Sequence, residues 1–328
     1  MGLAGRRPYR PRERPHSEVD KKVMDDRRHS VLVVGATGTQ GSAAVRGLLS
    51  RGHRVRALTR EPARARRLTE MGAEVAVGDL GDRAAVEAAL DGVTAVFAVP
   101  LRDPGDDAAE LRNAAFLIEA AKRSGVRHFV QTSVAGTGEL SRMPRWGSGH
   151  WNEEYWETKH RIEEAVRGGG LPAYTILKPS FLMENLLPPK APLMFPELAR
   201  DEIVTAVGRH VRVQMISAGD VAAFAAAALE RPDRFSGQSI ELAAEALTMH
   251  EVAATIAAVT QRTVRAVSLT ARQAVAAGRP EAVVRGEEWL NEVGYHASID
   301  ALASYGVALT GFRKWAETHR AVLGQAVG

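Results

Sequence analysis

The chain of 328 residues contains no cysteine, which excludes disulfides, thiolate nucleophiles and sulfur-ligated metals. It also lacks any apolar run near the ~20 residues needed to span a membrane, so a soluble, cytoplasmic protein without membrane contact is expected. A net basic excess is missing from most of the sequence. The formal net charge is +4, and residues 1–29 supply all of it, with nine Lys/Arg against five acids; the rest carries 34 of each sign. Direct nucleic-acid binding is not expected, because that function concentrates positive charge on the folded surface. Residues 1–29, rich in charge and proline and without apolar periodicity, read as a disordered basic leader. Arg6-Arg7 is followed by no apolar stretch suited to an export signal. No metal is expected either: the histidines are scattered, and "HEVAA" from His250 lacks a second histidine at zinc-binding spacing.

The composition of the whole chain, 45% apolar and 25% charged, is that of a globular protein. From Ser30, short β-rich runs alternate with helical ones. The strands are expected at 31–35, 54–59, 73–78, 94–99, 127–133 and 173–178, with helices such as 43–52, 83–92 and 108–125 between them. That alternation implies right-handed crossovers and a doubly wound parallel α/β sheet of Rossmann type. After Lys178 the rhythm loosens into a proline-rich apolar stretch, a strand–helix–strand set over 211–243, and a mostly helical remainder. The expected division is a nucleotide-binding domain over 30–178, completed by parts of 203–243, and a smaller α/β lobe from 179–202 and 244–328.

"GATGTQG" follows the first strand and opens the first helix. Gly35, Gly38 and Gly41 there allow a tight turn, close approach of backbone N–H groups to a pyrophosphate, and close helix–sheet packing, with Thr37, Thr39 and Gln40 between them. At the end of the second strand, where NAD sites commonly carry an acid, the sequence reads Thr59-Arg60. An arginine there suits a 2′-phosphate and favours NADP(H) over NAD(H). "GDL" places Asp79 and Leu80 at the end of the third strand, with Asp79 positioned to accept from an adenine amine.

A helix over 151–166 is expected to bury Trp151, Tyr155, Ile162 and Val166, with Lys159 as the single charge in that stripe and Glu163 among the acids turned away. A buried ammonium needs a polar partner, and a ribose would serve. Tyr155 lies one turn before Lys159 on the same face, and a nearby cation lowers a phenol towards useful acidity. Ser133, at the end of the fifth strand in "QTSVAG", faces the same crevice and is positioned to hydrogen-bond a substrate oxygen. The glycine-flanked loop 136–149, with Met143 and Trp146, reads as a lid over that crevice.

The segments "VLVVGATGTQGSAAVRGLL", "YWETKHRIEEAVRGGGLPAYTILKPSFLMENLL" and "GFRKWAETH" together resemble the NmrA-like family of atypical short-chain dehydrogenases over roughly residues 30–320. The resemblance implies a Rossmann domain with a small carboxyl-terminal lobe and a small-molecule site between them; Phe181, Met183 and Asn185 of the family-like "PSFLMENLL" are expected to line it, with Trp146 from the loop. It implies either an NADPH-dependent reductase of a small apolar carbonyl, enone or quinone, or a non-catalytic NADP-binding redox sensor with a protein partner. Many relatives carry histidine where Tyr155 stands; here Ser133, Tyr155 and Lys159 are all present. Room for a substrate in the crevice would favour the enzyme. A homodimer is left open.

Overall fold

The computed structural model describes residues 28–100, 103, 106 and 108–326; most of the expected leader lies outside the described residues. Seven strands form one parallel sheet in the order β10-β6-β5-β4-β1-β2-β3. These are β1 Ser30–Val34, β2 Arg54–Thr59, β3 Glu74–Val77, β4 Ala95–Ala98, β5 His128–Thr132, β6 Tyr174–Pro179 and β10 Gln238–Leu242. The order reverses at β1, between β2 and β4. Such a switch point opens a crevice beyond the carboxyl ends of the strands.

β1, β4 and β5 are buried on both faces, as a sheet covered by crossover helices requires. On one face Val31, Val33, Phe97 and Val130 pack with residues of the Thr39–Ser50 and Ala218–Glu230 helices, including Val45, Leu48, Val221 and Phe224. On the other, Leu32, Val34, Val96 and Phe129 pack with Val86, Leu117, Ile118 and Val166. Alanine dominates the Ala218–Glu230 helix, where Gly47 and Ala222 meet, so the two helices on the first face approach closely.

A second core is built from segments distant in sequence. Phe181, Met183, Leu186 and Phe195 from the proline-rich stretch pack with Val252 and Ile256 of the Met249–Thr260 helix and with Phe312 and Trp315 near the carboxyl terminus. Two small sheets frame it. One has the order β11-β9-β7, joining Glu245–Leu247, Val213–Ile216 and Phe181–Leu182; the other pairs β12 Arg265–Ser268 in parallel with β8 Glu202–Thr205. The smaller α/β region therefore contains more strand than the helical reading after Leu247 suggested. The short β12 has no apolar alternation visible in isolation and is defined by its pairing to β8.

Candidate active site

The glycine turn forms the floor of one end of the crevice. Gly35 sits at φ +72°, a conformation open to glycine at little cost, and a side chain at Gly41 would overlap the Gly35 carbonyl oxygen. The helix Thr39–Ser50 begins with Gly38 as its cap, with no side-chain cap bond and no acid in its first turn. Its leading N–H groups are thus left for an external anion. Gln40 Oε1 is buried without a hydrogen-bond partner. A groove of about 240 Å³ runs from this turn past Gly35, Thr37 and Gly38 to Arg60, Asp79 and Leu80. These features fit a dinucleotide: a turn too tight for a side chain at Gly41, uncapped leading N–H groups, an orphaned polar atom, and a groove at the ends of β1, β2 and β3. Thr39 opens the helix but does not line the groove.

Arg60 lies 3.5 Å from Asp79, both side chains largely exposed. Asp79 also accepts from the Gly81 N–H at 2.7 Å. Glu61 lines the same groove, an acid one position beyond the place inspected in the sequence.

At the other end a cavity of about 860 Å³ lies between the large sheet and the smaller lobe. Gln40 reaches it from the glycine turn, and Ser133, Tyr155, Phe181 and Asn185 line it as expected. Trp146 and Met183 do not line it. Met183 is fully buried in the second core, and Trp146 packs behind the wall against the cluster of Met143, Trp151, Trp156 and Trp289. Several aromatic wall residues were not predicted from sequence. Trp289 stacks on Trp156 with ring centroids 4.7 Å apart, and Tyr295 meets Trp289 edge-on at 5.0 Å. Gly136, at φ +94°, leaves room for the Trp289 ring, 3.3 Å from where a Cβ would stand. Burial, and secondarily the neighbouring Tyr155, push the Tyr295 phenol up, so it remains a neutral hydroxyl.

The expected lid is clasped at its far end: Arg145 of loop 136–149 pairs with Glu292 at 2.7 Å, and His150, just past the loop, contacts Arg285 at 2.8 Å, both on the Glu281–Glu292 helix. Gly149 and His150 form part of the cavity wall.

The helix carrying Tyr155 spans Glu153–Gly168, capped by Asn152, whose Oδ1 accepts from the Tyr155 N–H. Lys159 is 8% exposed, as the stripe predicted, and its Nζ lies 5.3 Å from the Tyr155 ring centroid. Its partner is a carboxylate of this chain, not an open ribose site. Nζ pairs with Glu110, itself 5% exposed, from the Ala109–Arg123 helix, and Lys159 lines neither cavity.

Glu163 also departs from expectation. Placed by sequence on the outer face, it is wholly buried. It lies one turn beyond Lys159, so the same helical geometry that buries the lysine carries it inward. Its Oε1 accepts from Ser133 Oγ at 2.6 Å and Thr137 Oγ1 at 2.5 Å, and its Oε2 from Arg167 at 3.0 Å. The Ser133 proton is therefore committed to Glu163, which removes the expected role of Ser133 as donor to a substrate oxygen. Neither Glu110 nor Glu163 was found from sequence. The signal available was the i, i+4 spacing Tyr155, Lys159, Glu163; nothing local marks Glu110 as their neighbour.

Residues 27–317 match the NmrA-like family. The chain belongs to this family. It is 34% identical over 310 residues to an NAD(P)H azoreductase of Xenophilus azovorans, covering 90% of this chain and all of that one. It is 33% identical to a (4-alkanoyl-5-oxo-2,5-dihydrofuran-3-yl)methyl phosphate reductase of Streptomyces griseus, over 88% of this chain and 97% of the relative. An NADPH-dependent quinone oxidoreductase of Escherichia coli, solved with NADPH, shares the fold of this NmrA-like protein at a TM-score of 0.69 and 22% identity, over 88% and 99% of the two chains. A negative transcriptional regulator solved with NAD shares it at a TM-score of 0.71 and 18% identity, over 92% and 98%. The described helices include none long and apolar enough to cross a membrane, and the described residues hold no group of three or more His, Asp or Glu able to bind a metal ion.

Proposed function

We propose that this NmrA-like protein is an NAD(P)H-dependent reductase of a flat, largely apolar acceptor such as a quinone, enone, carbonyl or azo compound. The observation that carries this reading is the aromatic-walled cavity of about 860 Å³, which runs from Gln40 beside the glycine turn to Tyr155. A sensor that only registers its cofactor has no need of such a space. The names of the azoreductase and of the (4-alkanoyl-5-oxo-2,5-dihydrofuran-3-yl)methyl phosphate reductase support the same reading.

Gly35, Gly38, Gly41 and the leading N–H groups of the Thr39–Ser50 helix would hold the pyrophosphate, and Asp79 and Leu80 the adenine end. The bound dinucleotide would supply a hydride. Arg60 supports NADP(H) over NAD(H), since an exposed pair with Asp79 contributes little and exchanges readily for a phosphate. Phe181, Trp156 and Trp289 would bind the acceptor through ring contacts and exclude water. Tyr155 would donate the proton, with the Lys159 ammonium on its ring face favouring the charge left behind. Glu110 holds that ammonium in place.

Purified protein assayed for NADPH and NADH oxidation against quinones and azo compounds should turn over at least one class, faster with NADPH. Tyr155→Phe should lower kcat for carbonyl acceptors by about 10²- to 10³-fold with little change in KM. Absence of turnover across the panel would sink the proposal, and an unchanged kcat would remove Tyr155 from it.

A further inference from the structure

Building on the reductase reading, we infer that the cavity selects acceptors carrying a hydrogen-bond donor, a ring O–H or N–H, and that Glu163 imposes this choice by orienting the Ser133 hydroxyl. The argument is one of donors and acceptors. Glu163 is wholly buried, its carboxylate can only accept, and Arg167 across from it can only donate. Ser133 has one hydroxyl hydrogen, and at 2.6 Å that hydrogen lies on Glu163 Oε1. Ser133 forms part of the cavity wall, so what it offers a ligand is a lone pair. A ligand carbonyl oxygen set against that lone pair is repelled, whereas an O–H or N–H is bound.

The same device recurs across the cavity. The Thr205 hydroxyl donates to the buried Glu287 at 2.9 Å, and Glu287 is held by Arg279 at 2.8 Å, but Thr205 is itself fully buried and its oxygen accepts from the Val207 N–H at 3.0 Å. Both hydroxyls have their protons drawn to buried, arginine-backed carboxylates, and of the two it is the partly exposed Ser133 that meets a ligand. Wall groups able to donate include the Tyr155 and Tyr295 phenols, Ser180 Oγ and Trp289 Nε1, so the recognition rule is a local one at Ser133. Glu163 touches no ligand; it is a positioning residue acting through Ser133.

The Glu163→Gln variant inverts the arrangement with almost no change of shape. Arg167 can pair only with the amide oxygen, which turns the amide NH₂ towards Ser133 and Thr137. Thr137 then donates to the Val134 carbonyl, already 3.2 Å away, and Ser133 accepts from the amide and points its hydrogen into the cavity. Calorimetry on the full chain would compare two probes without cofactor: a naphthoquinone bearing a ring hydroxyl remote from its carbonyls, and its unsubstituted parent. The wild type should bind the hydroxylated probe about three- to tenfold tighter. Glu163→Gln should erase or reverse that preference, while Ser133→Ala should equalise the two probes without reversal. Equal affinities in the wild type, or an unchanged preference in Glu163→Gln with a native thermal midpoint, would overturn the inference. A merely structural role for Glu163 would weaken both probes alike. Turnover measured on the same pair separates the two claims: if the preference follows Glu163 but neither quinone is reduced, the reductase reading fails and the recognition rule stands.

Discussion

Lys159 shows how a single side chain can satisfy a sequence rule and still acquire a different role in the fold. Its burial follows from helical spacing, and the need for a polar partner follows from the cost of burying charge. Which partner meets that need depended on where the Ala109–Arg123 helix falls, and it is Glu110. Removing one member of such a buried pair leaves the other uncompensated. Lys159→Met and Glu110→Leu are therefore each expected to cost roughly 3–5 kcal/mol of stability, and the double variant to recover most of the loss, as chemical denaturation of the wild type and the three variants would show. A loss in the double variant equal to the sum of the two single losses would mean the pair is not coupled. Gly41 is legible without the fold, because the motif itself demands close approach. Gly41→Ala should drive its methyl against the Gly35 carbonyl, destabilise the protein by about 1–3 kcal/mol and weaken dinucleotide binding more than tenfold in calorimetry. Wild-type affinity in that variant would show that the turn does not hold the pyrophosphate.

The Glu281–Glu292 helix carries much of the cavity wall, yet its role is invisible from its own sequence. It supplies Trp289 to the aromatic wall, Glu287 to the buried acid network, and Glu292 and Arg285 to the clasp on loop 136–149. Gly286 in its interior is exposed, and a Cβ there would meet nothing within 4 Å. Gly286→Ala should accordingly stabilise the helix by about 0.5–1 kcal/mol, raising the thermal midpoint by roughly 1–3 °C. A lowered midpoint would indicate that the helix needs the flexibility of glycine. By contrast, the strands of the large sheet and the crossover helices were readable at once. The strands are short apolar or β-rich runs and the helices longer segments between them, so their alternation along the chain is enough to recognise them.

Across the molecule, the lower edge of the sheet carries a set of buried histidines far from the cavity. Burial pushes the His128 imidazole down to about 4, with His29 adding to the shift, and burial likewise lowers His29 and His53. Arg127 and Arg51 lower these groups further, while Glu230 opposes the shift at His53. In the unfolded chain these groups protonate near pH ~6.5. Between that pH and about 4 the unfolded state binds protons that folded His128 refuses, so stability falls as pH falls through this window, by on the order of 3 kcal/mol for His128. Glu184, Glu287 and Asp220 run the other way, since burial raises their carboxyls and favours the folded state as acid is added. Comparison with a variant isolates the histidine. His128→Gln should lose less stability than the wild type between pH 7 and pH 4.5 in thermal melts, and parallel curves for the two proteins would refute the assignment.

The sequence by itself determined the parallel α/β architecture, the glycine turn with its groove residues, and the placing of Ser133 and Tyr155 at one crevice, because each rests on local periodicity or on the carboxyl ends of successive strands. Only the tertiary structure decided that Glu110 answers Lys159, that Glu163 turns inward to Ser133, and that Trp289 and Tyr295 complete the wall. Those pairings join residues 30 (Ser133 and Glu163), 49 (Glu110 and Lys159) and 133 (Trp156 and Trp289) positions apart, or depend on which side of a helix meets the core, and spacing along the chain does not encode distances through space.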